Sequence, residues 1–124
     1  MPVPSASASS HSAPEQWRLD AGDADVAVLN IPPVSGRMRR FEVDVTFIVR
    51  APEELGTAWH ELAVELDGRK QWSRRIATSN PGEQDGLDYH VRVSVAAEAA
   101  LRVRATTKVR GAVRQRLVIE AVES

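Results

Sequence analysis

The chain has 124 residues, no cysteine and a formal net charge of −1 at neutral pH. This length suits one domain around one hydrophobic core, and the charge argues against a general polyanion binder or an acidic tail protein. The lack of cysteine excludes a disulfide framework and a thiolate metal site. Arginine far outnumbers lysine, a bias typical of GC-rich bacterial genomes.

Residues 1–14 are rich in serine, alanine and proline and carry no periodic apolar residues. Such a composition predicts a disordered tail ahead of a single domain over residues 15–124. The tail lacks the basic and apolar regions of a secretory signal, and no segment reaches the ~18 apolar residues of a membrane helix. We therefore expect a cytoplasmic protein with no membrane insertion, while unconventional export stays open.

The alternation of apolar and polar residues predicts a series of β-strands in the domain. The clearest is FEVDVTFIVR, where one face is formed by odd-numbered apolar residues. An earlier run, DVAVLNIPP, ends at two prolines, which cannot donate hydrogen bonds within a sheet. Later runs with the same alternation cover residues 89–95, 101–109 and 113–122, and residues 78–86 read as a loop.

Residues 52–66 admit two structures. Leu55, Trp59, Leu62 and Leu66 have the spacing of one helix face, and Pro52 favours a helix start. The same segment alternates in its second half and runs into Asp-Gly, which is typical of a hairpin turn. We favour a strand that pairs with residues 71–77, and the helix remains the alternative.

Seven predicted strands, with turns every 8 to 12 residues, indicate the fold class. We expect an all-β protein, an antiparallel immunoglobulin-like β-sandwich of about seven strands with a disordered N-terminal tail.

The stretch ALRVRATTKVRGAVRQRL contains basic residues and no acid. All its basic residues have even numbers, whereas its large apolar residues have odd numbers, so the two sets face opposite sides of their strands. A hairpin with a three- or five-residue turn at Gly111 keeps all basic residues on one face. We therefore predict a compact basic patch of Arg102, Arg104, Lys108, Arg110, Arg114 and Arg116.

Like charges that face each other across strands repel, so something must reduce the repulsion within this patch. Acidic residues outnumber basic ones up to Gly68, and basic residues outnumber acidic ones from Arg69 to Arg116. The asymmetry fits either two faces of opposite sign or acidic and basic strands that pair within one sheet. An anion, another subunit, the acidic first half of the chain or plain solvation would each supply the offset.

If successive strands alternate direction, the connections 51–58, 78–87 and 110–113 lie at one end of the sandwich. We predict that this end and the basic patch together form the contact site. Besides the basic residues, the predicted site includes Glu53, Glu54, Asn80 and Asp85.

No motif specifies a reaction, since G-x-S-x-G, P-loop and G-x-G-x-x-G patterns are missing from the sequence. The Asp20, Asp23 and Asp25 spacing does not fit an EF-hand, and the histidines lack a nearby second ligand. We expect no enzyme activity, no metal and no cofactor.

The functional hypothesis is a binding module that uses the basic patch to contact an acidic protein partner or a second copy of itself. Carbohydrate binding by exposed tryptophans is one alternative, although we expect Trp17, Trp59 and Trp72 to lie in the core. Weak polyanion binding is another, and the lack of aromatic residues within the basic stretch makes nucleic acid an unfavourable ligand.

Overall fold

The computed structural model describes residues 13–124 and contains eight strands. Most of the predicted tail, residues 1–12, lies outside the described residues. The strands are β1 (Gln16–Asp20), β2 (Val26–Ile31), β3 (Arg39–Arg50), β4 (Trp59–Leu66), β5 (Arg69–Ala77), β6 (Gln84–Val95), β7 (Leu101–Arg110) and β8 (Val113–Glu123).

The strands form two four-stranded antiparallel sheets. The first sheet has the order β1-β8-β3-β6 and the second has the order β2-β7-β4-β5. The first strand therefore pairs with the eighth, the second with the seventh, the third with the sixth and the fourth with the fifth. This nested pairing is the strand order of a jelly roll, in which one long hairpin is rolled into two facing sheets.

The all-β antiparallel sandwich predicted from the sequence is confirmed, with three differences in detail. There are eight strands because β1 is an additional strand, too short to stand out from the alternation. The strand order is that of a jelly roll and differs from the immunoglobulin order. Strand β6 begins at Gln84, inside the segment predicted to be a loop.

Strand β3 lies at the centre of the core because both its edges are paired, with β8 on one side and β6 on the other. Its odd-numbered residues point inward as predicted, and Phe41, Val43, Val45, Phe47 and Val49 are at most 1% exposed. Burying an apolar side chain of this size contributes about 1.5–3 kcal/mol. This one strand therefore supplies a large share of the hydrophobic stabilisation.

Residues 59–77 form the predicted hairpin of β4 and β5, so the helical alternative for residues 52–66 is wrong. The turn between the strands is Asp67-Gly68, and both residues have positive φ angles, 51° and 82°. Two-residue turns of this type follow the right-handed twist of the flanking strands. Among residues 13–124 no helix is long and apolar enough to cross a membrane.

A buried ion-pair cluster closes the sandwich at the end where the described chain begins and ends. Arg39 is 2% exposed and donates hydrogen bonds to Glu15 at 2.9 Å and to the Pro32 carbonyl at 2.9 Å. Arg37 bridges Glu15 and Glu123, and its hydrogen bond lowers the pKa of Glu123. The cluster thus ties β1, the β2–β3 connection and β8 together.

Candidate binding surface

The predicted β7–β8 hairpin is wrong, because the two strands belong to different sheets. Only residues 111 and 112 connect them, so the predicted three- or five-residue turn is wrong as well. Gly111 has a φ of 75°, and a Cβ atom there would lie 3.1 Å from the Cβ of Ala58. This tight connection carries the chain from one sheet to the other instead of folding it back on its neighbour.

The six basic residues are therefore divided between the two sheets. The four basic residues of β7 and Arg116 of β8 point away from the core as predicted, since their neighbours Leu101, Val103, Ala105 and Leu117 are buried. Arg114 does not, because the pairing of β3 with β8 shifts by one residue and places Arg114 opposite the buried Val49, while Val113 is exposed. Four of the six lie on the outer face of the second sheet. We call these four residues of β7 the basic row: Arg102, Arg104, Lys108 and Arg110.

The residues opposite the basic row are set by the β4–β7 register. Glu65 lies opposite Arg104, Glu61 lies opposite Lys108, and Trp59 lies opposite Arg110. On the other side of β4, Lys70 lies opposite Glu65 and Arg75 lies opposite Glu61. The alternative in which acidic and basic strands pair within one sheet is thus confirmed for β4.

The two glutamates of β4 do not neutralise this face. Glu61 accepts a hydrogen bond from Arg75 at 2.9 Å, and no carboxylate within residues 13–124 lies within 4.0 Å of a side-chain nitrogen of the basic row. All four side chains of the row are exposed. We call the outer face of the second sheet the basic face. It carries the basic row together with Lys70 and Arg75 of β5.

An aromatic side chain lies on the same face. Trp59 is partly buried, and the guanidinium of Arg75 stacks over its ring with 3.7 Å between the guanidinium carbon and the ring centroid. The basic stretch itself contains no aromatic residue. Trp59 lies beside Arg110 because β4 pairs with β7. The alternation in residues 59–66 already places Trp59 outward, and the long-range β4–β7 pairing puts it beside Arg110.

The other two predicted basic residues make contacts within the protein. Arg116 donates two hydrogen bonds to Asp20, at 2.7 and 3.0 Å. That contact, followed by the Gly22 amide, lowers the pKa of Asp20, and it raises the pKa of Arg116. Arg114 donates to the hydroxyl and carbonyl oxygens of Thr107 and so joins the two sheets.

The predicted loop end does come together in the structure. The amide of Ala51 donates to the Glu83 carbonyl at 2.8 Å, and the amide of Gly82 donates to the Pro52 carbonyl at 3.1 Å. Glu53 and Glu54 are both exposed, and the carboxylate of Glu53 lies beside Gly82. Connections 51–58 and 78–83 therefore form one surface, and Gly111 reaches it through its contact with Ala58.

Two of the predicted polar residues at this end hold the loop itself. Asn80 has a φ of 59° and donates from its side-chain amide to the Gln84 carbonyl at 3.0 Å. Asp85 accepts hydrogen bonds from the amide and the hydroxyl of Ser79 at 2.7 and 3.0 Å. Partial burial alone would raise the pKa of Asp85, but these contacts and its own contact with the Gly86 amide lower it.

A buried histidine lies behind this loop. His60 is fully buried, and its Nδ1 is 2.8 Å from the hydroxyl of Thr78. Its Nε2 is 4.0 Å from the Asp85 carboxylate and has no hydrogen-bond partner within the described residues. Thr78 is only 4% exposed, so this group has no open access and supports the loop from inside.

The three tryptophans are on different parts of the molecule. Trp17 lies on the inner side of edge strand β1, and Trp72 lies on the inner side of edge strand β5, where it stacks on Tyr89 with ring centroids 4.8 Å apart. All three tryptophans are partly buried. Trp17 and Trp72 pack against the core, whereas Trp59 lies on an outer face, so the prediction of a core position is wrong for Trp59. No two of them form an aromatic platform on one outer face.

Comparison with known proteins supports the fold and provides no function. No protein-family model matches the chain, and no curated protein matches it. The crystal structure of dimeric latent PorU from Porphyromonas gingivalis is similar, with a TM-score of 0.59 over 90% of this chain and 11% sequence identity. This chain spans 12% of the length of that one. The similarity therefore supports the sandwich architecture alone.

Proposed function

We propose that the protein is a non-enzymatic binding module whose basic face contacts an acidic surface of another protein. The observation that carries the proposal is the basic row, four exposed cations on one strand without an ion-pair partner in residues 13–124. At a rise of ~3.4 Å per residue, the row extends roughly 27 Å, about the width of a small protein interface. An acidic partner would relieve the repulsion among these charges and be steered towards them.

The charges of β4 favour a protein over a nucleic acid as the partner. Glu61 and Glu65 stand between the basic residues of β7 and those of β5, and they would repel a continuous row of phosphates. A protein surface can place basic groups opposite these glutamates and acidic groups opposite the cations. Arg75 also covers one face of Trp59, which reduces the ring surface left for base stacking.

A carbohydrate-binding function has less support. Sugar platforms use aromatic rings that share one exposed surface, and the tryptophans here do not share one. Trp59 is the single tryptophan on an outer sheet face, and its ring is stacked against Arg75.

Affinity capture from a nuclease-treated lysate tests the proposal with a charge-matched control. The test variant is Arg104→Glu/Lys108→Glu, and the control is Arg40→Glu/Arg50→Glu on the outer face of the first sheet. We expect the wild type and the control to retain the same partner and the test variant to lose at least tenfold in retention. Equal capture by all three proteins contradicts the proposal, and so does a partner that is captured from an untreated lysate and not from the nuclease-treated one.

A further inference from the structure

One edge of the first sheet, which has no strand partner within residues 13–124, suggests a second interaction, separate from the basic face. Strand β6 ends the sheet order, and all twelve of its residues pair with β3 in one register without a bulge. It contains no proline. Long, regular edge strands are sites where another strand adds to a sheet, and proteins usually block them.

The direction of the free hydrogen-bonding groups follows from the β3–β6 register. The Ala51 amide donates to the Glu83 carbonyl, so odd-numbered residues of this strand point their backbone groups to β3. Even-numbered residues then point theirs to the open edge. Two local contacts occupy the start of this edge, from Asn80 to the Gln84 carbonyl and from the Gly86 amide to Asp85. The open part of the edge runs over residues 88–94.

Strand β5, the long edge strand of the second sheet, has features that commonly prevent another strand from pairing with it. Strand β5 has a bulge near Gln71, and its exposed basic residues Arg69, Lys70, Arg74 and Arg75 would repel a second copy. The open part of β6 carries charges of both signs instead, Asp88 and Arg92 with His90 between them. Its outer side is therefore complementary to itself in the antiparallel direction.

We propose that β6 pairs antiparallel with β6 of a second copy of this chain, with His90 opposite His90 at the two-fold axis. In this register Asp88 lies opposite Arg92 of the second copy, and the pair occurs twice by symmetry. A register shifted by two residues per chain would place Asp88 opposite Asp88 or Arg92 opposite Arg92. The charges thus select one of the registers that keep even-numbered residues facing each other.

The inner side of β6 fits the same arrangement. Its apolar residues Leu87, Tyr89, Val91 and Val93 are only partly buried, whereas their partners on β3 are at most 1% exposed. In the proposed register Tyr89 lies opposite Val91 and Leu87 opposite Val93 of the second copy. Pairing would therefore cover apolar surface that the single chain leaves in contact with water, and two four-stranded sheets would join into one of eight strands.

Charge reversal tests both the partner and the register. Sedimentation equilibrium of the wild type should show a dimer, and Asp88→Arg or Arg92→Asp alone should weaken dimerisation at least tenfold. The double variant Asp88→Arg/Arg92→Asp should recover it, and a mixture of the two single variants should form a heterodimer. Arg18→Asp, on the opposite edge strand β1, is the control and should dimerise like the wild type.

Folding is checked on each variant by thermal unfolding and circular dichroism, because Arg92 also lies opposite Glu42 of β3. A second variant, His90→Pro, removes an amide that points to the open edge and keeps the backbone bonds to β3. It also removes the side-chain contacts of His90 with Asp44 and Glu42, so it is compared with His90→Ala, which loses the same contacts and should dimerise. His90→Pro should be folded and monomeric. A wild type that remains monomeric at several hundred micromolar overturns the inference, and so does a folded double variant that dimerises no better than the single ones. Arg104→Glu/Lys108→Glu should dimerise normally, which separates this test from that of the basic face.

Discussion

The carboxylate of Glu61 on β4 accepts a 2.9 Å hydrogen bond from the guanidinium of Arg75 on β5. It does not pair with Lys108, which lies opposite Glu61 on β7. The guanidinium of Arg75 also stacks on Trp59. Arg75 thus holds one acidic and one aromatic residue of β4, and no side chain of the basic row forms an ion pair within residues 13–124. This arrangement makes the face basic although acidic and basic strands alternate within it.

Replacing Arg75 should weaken the protein slightly. Arg75→Ala removes a partly exposed ion pair and a cation–π contact, and together these contribute about 1 kcal/mol. Arg74→Ala, on the same strand but without an ion pair in residues 13–124, should change the free energy of unfolding by less than about 0.5 kcal/mol. Urea unfolding followed by tryptophan fluorescence measures both, and equal effects of the two substitutions would refute the assigned role of Arg75.

The buried cluster at the opposite end should be far more sensitive. Arg39→Ala leaves Glu15 and the Pro32 carbonyl without their buried donor and should cost about 3–5 kcal/mol. Its exposed neighbour supplies the control, because Arg40→Ala should cost less than about 0.5 kcal/mol. Both values come from chemical denaturation at neutral pH. An Arg39→Ala protein as stable as Arg40→Ala would show that the cluster does not hold this end closed.

Asp85 should make the stability of the protein depend on acid. Its pKa is lowered in the folded state relative to its ordinary value near 3.9, so its contribution is fully present above about pH 5 and is lost as the pH falls through the folded value. Asp85→Asn should therefore be less stable than the wild type at pH 6–7, and the difference should shrink towards pH 2–3. Asp23→Asn, in an exposed turn, is the control. A difference that does not change with pH would contradict this role.

The glycine in β6 should be indispensable for the β3–β6 pairing. A Cβ atom on Gly86 would lie 2.3 Å from the backbone oxygen of Phe47, and a backbone atom cannot move aside cheaply. Gly86→Ala should cost about 1–3 kcal/mol, the usual range for overpacking. Hydrogen exchange should show faster exchange of the β6 amides that bond to β3. Unchanged protection there would show that the strands approach less closely.

The local part of the fold could be predicted from the sequence because alternation is a local property. It gave the inward residues of β3 and β7, and Asp67-Gly68 indicated the β4–β5 hairpin. The short strand β1 was missed because Trp17 and Leu19 alone are too few to define a period. Partners distant in sequence, such as Trp59 beside Arg110, leave no local pattern and could not be predicted.

The basic stretch shows where the prediction went wrong. Odd residues of β7, and those of β8 from Leu117 onward, face the core, and a two-residue connection between paired strands would have broken that rule. Parity within one sheet predicts a longer turn, whereas the strands lie in opposite sheets and both face the same core. The same parity fits either arrangement, so parity did not show that Arg116 lies on the outer face of the other sheet. It also failed at Val113 and Arg114, where the shift in the β3–β8 pairing exposes Val113 and turns Arg114 inward.

The most direct test of the central claim is a titration of isotope-labelled protein with a peptide of alternating glutamate and serine, followed by amide chemical shifts. We expect salt-sensitive shifts on β4, β5 and β7, centred on Arg104 and Lys108, that are lost in Arg104→Glu/Lys108→Glu. Shifts of equal size around Arg114 and Arg116 on β8, or a single-stranded oligonucleotide that binds more tightly than the peptide, would contradict it.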